Sequence, residues 1–360
     1  MDIQDLTLDR DGLIAALECN EPAFNEALCK KAYETKVAHI GTNVYLRGLI
    51  EISNICAKNC LYCGIRHDNA AARRYELTEE EVLSAAQRAA RERFGSVVIQ
   101  GGERTDAAFV RKITRLLKAI KALPTASEGG IPLGVTLSLG EQPREVYEEW
   151  FAAGAHRYLL RIETTNPDLY YKIHPHDALH SHERRMEALQ DLKAIGYQAG
   201  TGAMIALPWQ TAADLADDLL FYKRFDAPMV GMGPYNPNDE TPLTQSGAPL
   251  LPDAQRLTLG LKMIALLRLL MPDINIASAT ALEVLSPRGR ELGVLAGANV
   301  VMPNITPDEQ RVKYNLYDRK TLLVKDLMLG EGLESGKITI GWGRWGDSLH
   351  FQRNKSTHNE

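Results

Sequence analysis

The run Glu51-Ile-Ser-Asn-Ile-Cys-Ala-Lys-Asn-Cys-Leu-Tyr-Cys-Gly64 sets three thiols, Cys56, Cys60 and Cys63, in the spacing C-x3-C-x2-C. No cysteine follows Cys63, and the other two, Cys19 and Cys29, lie well upstream. A structural zinc site normally closes its tetrahedron with four protein ligands, and simple ferredoxin-type clusters also use four cysteines. Three thiolates on one short loop suit a four-iron cluster whose fourth iron stays open to a molecule that is not protein. Two other readings compete. A redox pair of Cys60 and Cys63 leaves Cys56 unexplained. A chance cluster of structural thiols must place three of the five cysteines in eight residues by accident.

Outward from this loop, apolar runs alternate with amphipathic stretches. Eight strands are predicted, over 44–52, 96–100, 134–139, 157–162, 198–205, 229–233, 274–279 and 299–302. Helices are predicted between them, over 77–93, 106–121, 142–153, 181–195, 211–224, 253–270 and 285–296. Thr78 and Glu81 carry the spacing of a capping box. Strands that alternate with helices imply a parallel sheet, and eight such units fit a (β/α)8 TIM-type barrel. The reading has three parts: an N-terminal helical extension (1–43), the barrel (44–303), and a C-terminal extension closing it (304–360) whose polar tail from 351 frays.

The chain has 360 residues, 45% hydrophobic and 24% charged, with net charge −5. These are the proportions of a soluble globular protein. The mild acidity gives no support for nucleic-acid binding by bulk electrostatics. No apolar run approaches the length of a membrane span, and the start, MDIQDLTLDRDGL, lacks the apolar core of a signal peptide. A cytoplasmic location follows as the expectation. Cys19 and Cys29 read as structural cysteines, and an oxidised framework is not expected.

The cysteine loop follows the first strand directly, and barrel active sites sit at the C-terminal ends of strands. Polar groups recur at that end of other strands. Strand 2 ends in Gly101-Gly102-Glu103, where glycines allow close backbone approach. Thr136 and Ser138 share one face of strand 3. Arg161 and Glu163 share one face of strand 4, a costly pair inside a barrel unless matched or ligand-bound. Arg184 and Arg185 open the following helix. His174, His176, His180 and His182 crowd into nine residues, but Pro175 interrupts the tract and the simplest reading is a polar loop. Met204, Met229 and Met302 read first as core filling, and Thr280, Tyr314 and Tyr317 as ordinary packing.

The cysteine spacing, with the aromatic Tyr62 before the third cysteine, resembles the radical S-adenosylmethionine (radical SAM) superfamily. Within it, Asn59-Cys-Leu-Tyr-Cys-Gly64, Thr136-Leu-Ser-Leu-Gly-Glu141, Arg157-Tyr-Leu-Leu-Arg161 with Glu163-Thr164, and Asn299-Val-Val-Met-Pro-Asn304 resemble the HydE-type maturases of [FeFe]-hydrogenase. Biotin synthase and methylornithine synthase share the barrel and loop with a weaker match. The resemblance implies a [4Fe-4S] cluster on Cys56, Cys60 and Cys63, and S-adenosylmethionine (SAM) on its open iron. It implies SAM contacts from Tyr62, Gly101, Gly102, Glu103, Ser138, Arg161, Glu163, Arg185, Met204 and Met229, and a substrate cavity lined by Thr136, Thr280, Met302, Tyr314 and Tyr317.

The implied reaction is reductive cleavage of SAM to a 5′-deoxyadenosyl radical that attacks a cysteine-bound Fe(CO)2(CN) precursor. A ferredoxin or flavodoxin reductant and other hydrogenase maturases are the implied partners. Three positions depart from the pattern. The auxiliary-cluster cysteines of some relatives are missing, Ile162 stands where some have His, and Gly101 stands where a Ser occurs. A HydE-like enzyme acting on another small molecule, a non-catalytic iron–sulfur carrier and a zinc-stabilised barrel remain the alternatives.

Overall fold

The computed structural model describes residues 1–124, 130–319, 329–342 and 347–357. Parts of the predicted C-terminal extension, 320–328, 343–346 and 358–360, lie outside the described residues. Eight parallel strands form a closed ring: β1 (Asn43–Ser53), β2 (Ser96–Gly101), β3 (Gly134–Ser138), β4 (Arg157–Leu159), β5 (Gln198–Gly200), β6 (Met229–Val230), β7 (Asn275–Ile276) and β8 (Val300–Val301). The register runs Leu49↔Val98, Val98↔Thr136, Thr136↔Arg157 and Leu159↔Gly200. A bridge at Thr201↔Val230, the pairing Met229↔Asn275, a bridge at Ala277↔Val300 and the pairing Tyr45↔Val300 complete the circle. The fold is therefore the predicted TIM-type barrel.

Pleating explains the two faces. Val44, Leu46, Ile50 and Ile52 of β1, with Val97 and Ile99 of β2, belong to the core shared with the helices. Burying each such side chain stabilises the fold by about 1.5–3 kcal/mol. The alternate residues Arg47, Val98, Thr136, Leu159, Met229 and Met302 line a cavity inside the ring.

Helices α1 (Arg10–Glu18) and α2 (Pro22–Ile40) precede the barrel. The first packs on α8 (Ala212–Phe225), the second on the helix Asp253–Leu270. Between the strands stand α3 (Glu79–Arg91), α4 (Ala107–Lys121), α5 (Arg144–Ala152), α6 (Pro167–Ile173) and α7 (His182–Ile195). Their starts follow local chemistry. Thr78 and Glu81 form the predicted capping box, and Asp106, Ser181 and Thr211 each accept a first-turn amide, a contribution of about 1 kcal/mol apiece.

Four details differ from the sequence reading. Strand β4 stops at Leu159, and Glu163, at φ 65°, rejoins the neighbouring chain only through a single parallel bridge to Ala203. The predicted strands 5 and 6 each break, and their outer pieces Met204–Ile205 and Gly233–Pro234 pair with each other. The helix predicted over 285–296 is two short ones, Thr280–Leu285 and Gly289–Leu295. The tail does not fray at 351: Leu349–Thr357 is helical, anchored where His350 Nδ1 meets Asp273 at 3.0 Å and Asn354 donates to Asp226 at 2.9 Å.

Candidate active site

The cysteine loop crosses the C-terminal mouth of the ring. Gly102 donates its amide to Ser53 O at 2.9 Å, and the Ala57 amide donates to Glu103 O at 2.9 Å. The Glu103 amide points at Cys56 Sγ, 3.3 Å away. A Cβ on Gly102 would lie 2.2 Å from Ile55 O and 2.8 Å from Cys56 Cβ. The close approach that requires glycine here is therefore to the cysteine loop itself. Arg74 closes the loop's base: its guanidinium donates to the carbonyls of Asn54 and Ile65, each at 2.7 Å, and to those of Arg66, His67 and Asn69.

Burial and mutual repulsion act on the thiols. Burial, then the neighbouring Cys63, holds the Cys60 thiol well above its ordinary value, and burial, then Cys56, pushes Cys63 up to about 12. Burial likewise raises Cys56. All three are free. Three partly buried thiols, whose ionised forms would repel one another, are poised to exchange protons for iron, because thiolate is the ligand form. Among the described residues no three His, Cys, Asp or Glu side chains converge as ligands of one metal ion; a four-iron cluster spreads its thiolates over separate irons.

Beside the thiols lies a buried quartet of charges. Lys58 pairs with Glu103 at 3.1 Å and Glu141 at 3.2 Å. Arg185 pairs with Glu141 at 2.6 Å and Glu103 at 3.6 Å, and donates to Arg161 O at 3.0 Å. Burial opposes the Arg185 charge, yet Glu141, Tyr170 and Glu103 hold it firmly protonated. Two cations and two carboxylates balance, which a buried site requires. Arg185 thus sits at the mouth, as the resemblance implies, with its guanidinium already engaged by protein. Arg184 turns away to Gln142 O and the Asp191 side.

Arg161 Nη2 stands 2.8 Å from Glu163 Oε2. The contact is an ion pair without hydrogen-bond alignment, since Arg161 Nε and Nη2 and Glu163 Oε2 are buried with no hydrogen-bond partner. Burial raises the Glu163 carboxyl against the pull of Arg161 and Arg185. A zwitterion such as the methionyl part of SAM would fit these groups, with its carboxylate towards Arg161 and its ammonium or sulfonium towards Glu163. The thiols and these orphaned groups therefore fit a cluster and SAM, and both carboxylate and guanidinium act on the thiols, Glu163 on Cys63 and Arg185 on Cys60.

The other predicted residues divide between mouth and interior. Tyr62 is half-buried near Glu163, and Met204 packs with Leu61, Tyr62, Ile173 and Tyr235. Gly101 and Ser138 end β2 and β3 at the mouth. Met229 meets Arg47 Nη1 at 2.7 Å and shares the interior cavity with Thr136 and Met302. Tyr314 accepts from Gln100 at 3.3 Å. Thr280 accepts from Arg290 at 3.1 Å, and Tyr317 is influenced by Arg290 and Glu51.

Lys58, Arg74, Glu141 as an ion-pair partner, and the buried His174 and His180 were not read as site residues. A lysine between two cysteine ligands was the one available signal. Arg74 carries none, because its partners are backbone carbonyls scattered over the loop.

A family profile described as the radical SAM superfamily matches residues 50–222. The [FeFe] hydrogenase maturase subunit HydE of Thermotoga maritima is 46% identical over 312 residues, 86% of this chain and 84% of that protein. A biotin synthase from a Cyanothece species is 28% identical over 82% of this chain and 77% of its own length. Among solved structures, methylornithine synthase superposes with TM-score 0.76 at 22% identity, covering 94% of this chain and 96% of that one. The maturase HydG from Carboxydothermus hydrogenoformans gives 0.72 at 19% identity, over 93% and 76%; at such identities these two report the fold. The chain belongs to the radical SAM superfamily, as an enzyme of the HydE hydrogenase-maturase family.

Proposed function

We propose that this chain reductively cleaves SAM to a 5′-deoxyadenosyl radical and directs it at a cysteine-bound Fe(CO)2(CN) precursor, a step in assembling the hydrogenase H-cluster. The observation that carries this is the meeting of three thiols with the unsatisfied Arg161–Glu163 pair at one barrel mouth. Cys56, Cys60 and Cys63 would hold a [4Fe-4S] cluster, which when bound supplies the electron for SAM cleavage. Arg161 and Glu163 would orient the zwitterion, and Tyr62 and Met204 would pack against it. The closed ring, with Tyr314 and Tyr317 over it, would keep water and stray hydrogen donors from a primary radical.

Thr136, Thr280 and Met302 would line the substrate space below. In this reading residues 44–303 are the barrel, 1–43 and 304–360 its flanks, and the protein works in the cytoplasm with a ferredoxin or flavodoxin as reductant and other maturases as partners. No helix among the described residues is long and apolar enough to cross a membrane.

The substrate test is anaerobic turnover of the reconstituted protein with the cysteine-bound iron carbonyl, against lysine and dethiobiotin as rivals. Consumption of the iron complex with an adenosyl-containing product supports the proposal. Rearrangement of lysine, or sulfur insertion into dethiobiotin, assigns the chain to another small molecule.

A further inference from the structure

The histidine tract runs alongside the cysteine loop. Lys58 donates to the carbonyl of Leu179. The Asn59 amide donates to Nε2 of His180 at 2.8 Å. The Leu61 amide donates to Ile173 O at 3.0 Å, and the Tyr62 ring meets His174 edge-on at 5.3 Å. Four of the five residues from Lys58 to Tyr62 are thus anchored to the stretch 173–180. An irregular loop carrying three ligands has no ladder of its own, so its shape depends on such outside partners.

His180 is the sharpest of these contacts. It is buried, 1% exposed, and its Nδ1 faces Asp177 Oδ1 at 2.7 Å. A backbone amide only donates, so Nε2 must present its lone pair, which puts the ring hydrogen on Nδ1, directed at Asp177. The arrangement Asp177–His180–Asn59 is that of a carboxylate fixing a histidine tautomer so that the far nitrogen meets a defined partner. Here the partner is the amide immediately before Cys60.

We propose that His180 is a positioning residue of the cysteine loop: its imidazole, oriented by Asp177, fixes the backbone between Cys56 and Cys60 so that the thiols keep their cluster spacing. The proposal rests on the cluster reading given above, and its test separates the two.

The experiment compares wild type with His180→Leu and His180→Gln in the full chain. In iron-free protein, amide hydrogen exchange over the peptide containing Asn59 is expected to rise about tenfold in His180→Leu, the effect of one hydrogen bond. Glutamine offers an acceptor oxygen and recovers most of the protection. In reconstituted protein, chelator-driven loss of cluster absorption follows the same order. Unchanged exchange in a folded His180→Leu overturns the proposal, as does faster exchange with unchanged cluster release, or a glutamine variant no better than leucine. If His180→Leu fails to fold, Asp177→Ala at a half-exposed position serves: two- to threefold faster exchange supports the clamp and no change overturns it. A wild-type chain that takes up no cluster contradicts the proposed function, while exchange at Asn59 still decides the clamp.

Discussion

Nε of Arg185 stands 2.6 Å from Oε1 of Glu141, and both side chains are only about a tenth exposed. This pair joins the start of α7 to the end of β3 beside the thiols, and Glu141 also holds Lys58 on the cysteine loop. Removing one partner leaves a buried charge uncompensated, which costs about 3–5 kcal/mol. Glu141→Ala or Arg185→Ala should each lower the thermal midpoint of iron-free protein by several degrees. The double variant should lose less than the sum; strict additivity would show that the pair is not coupled.

Gly102 supplies a steric test. A methyl group there meets Ile55 O at 2.2 Å and Cys56 Cβ at 2.8 Å, both on the cysteine loop, so Gly102→Ala must displace the first ligand. We expect iron per chain after reconstitution to fall several-fold, while Gly330→Ala, with nothing within 4 Å of the added group, binds iron like wild type. Equal iron in both variants would show that the loop accommodates the shift.

What the sequence made legible follows from what is local. The thiol loop, the order of the eight strands and the capping box each depend on residues close together in the chain; the loop and the box lie where predicted, and the strands come in the predicted order with the fourth shortened and the fifth and sixth broken. The Arg161–Glu163 pair was legible because residues two apart can point the same way in extended backbone, although both lie beyond the end of β4. What escaped depends on distant chain. Lys58 finds Glu103 and Glu141 from other strand ends, and His180 finds Asn59 at a separation of 121 residues. Arg47 likewise finds Met229 across the barrel interior, 182 residues away. Glu163 takes a positive φ that no propensity foretells.

Asp218 carries a pH signature. It is fully buried and accepts from the Thr165 amide and hydroxyl, each at 2.7 Å, next to the Glu163 turn. Burial, opposed by those two hydrogen bonds, raises its carboxyl from 3.8 to about 7. A folded value above the unfolded one means that the folded state binds the extra proton. The group's contribution is therefore favourable at low pH and lost as pH rises from about 4 to about 7. Asp218→Asn should raise the thermal midpoint relative to wild type at pH 8, and the gain should shrink towards pH 5. A gain that is constant with pH would place the ordinary ionised carboxylate at this position.

The cysteines separate by role. Cys60→Ser should abolish the iron–sulfur absorption. Cys19→Ala with Cys29→Ala should leave iron content unchanged, because Cys19 caps α1 and Cys29 lies within α2, outside the ring. Loss of iron in the double alanine variant would show that a ligand lies outside the C-x3-C-x2-C loop.

The most direct test of the whole account is 5′-deoxyadenosine. The reconstituted protein, held anaerobically with dithionite and SAM, should release it at least about tenfold above a Cys60→Ser control, a difference near 1.4 kcal/mol in barrier. The Arg161→Ala and Glu163→Ala variants should fall towards that control while keeping their iron. Release equal to the Cys60→Ser control from protein with its full complement of iron would contradict SAM cleavage and leave a cluster carrier in its place.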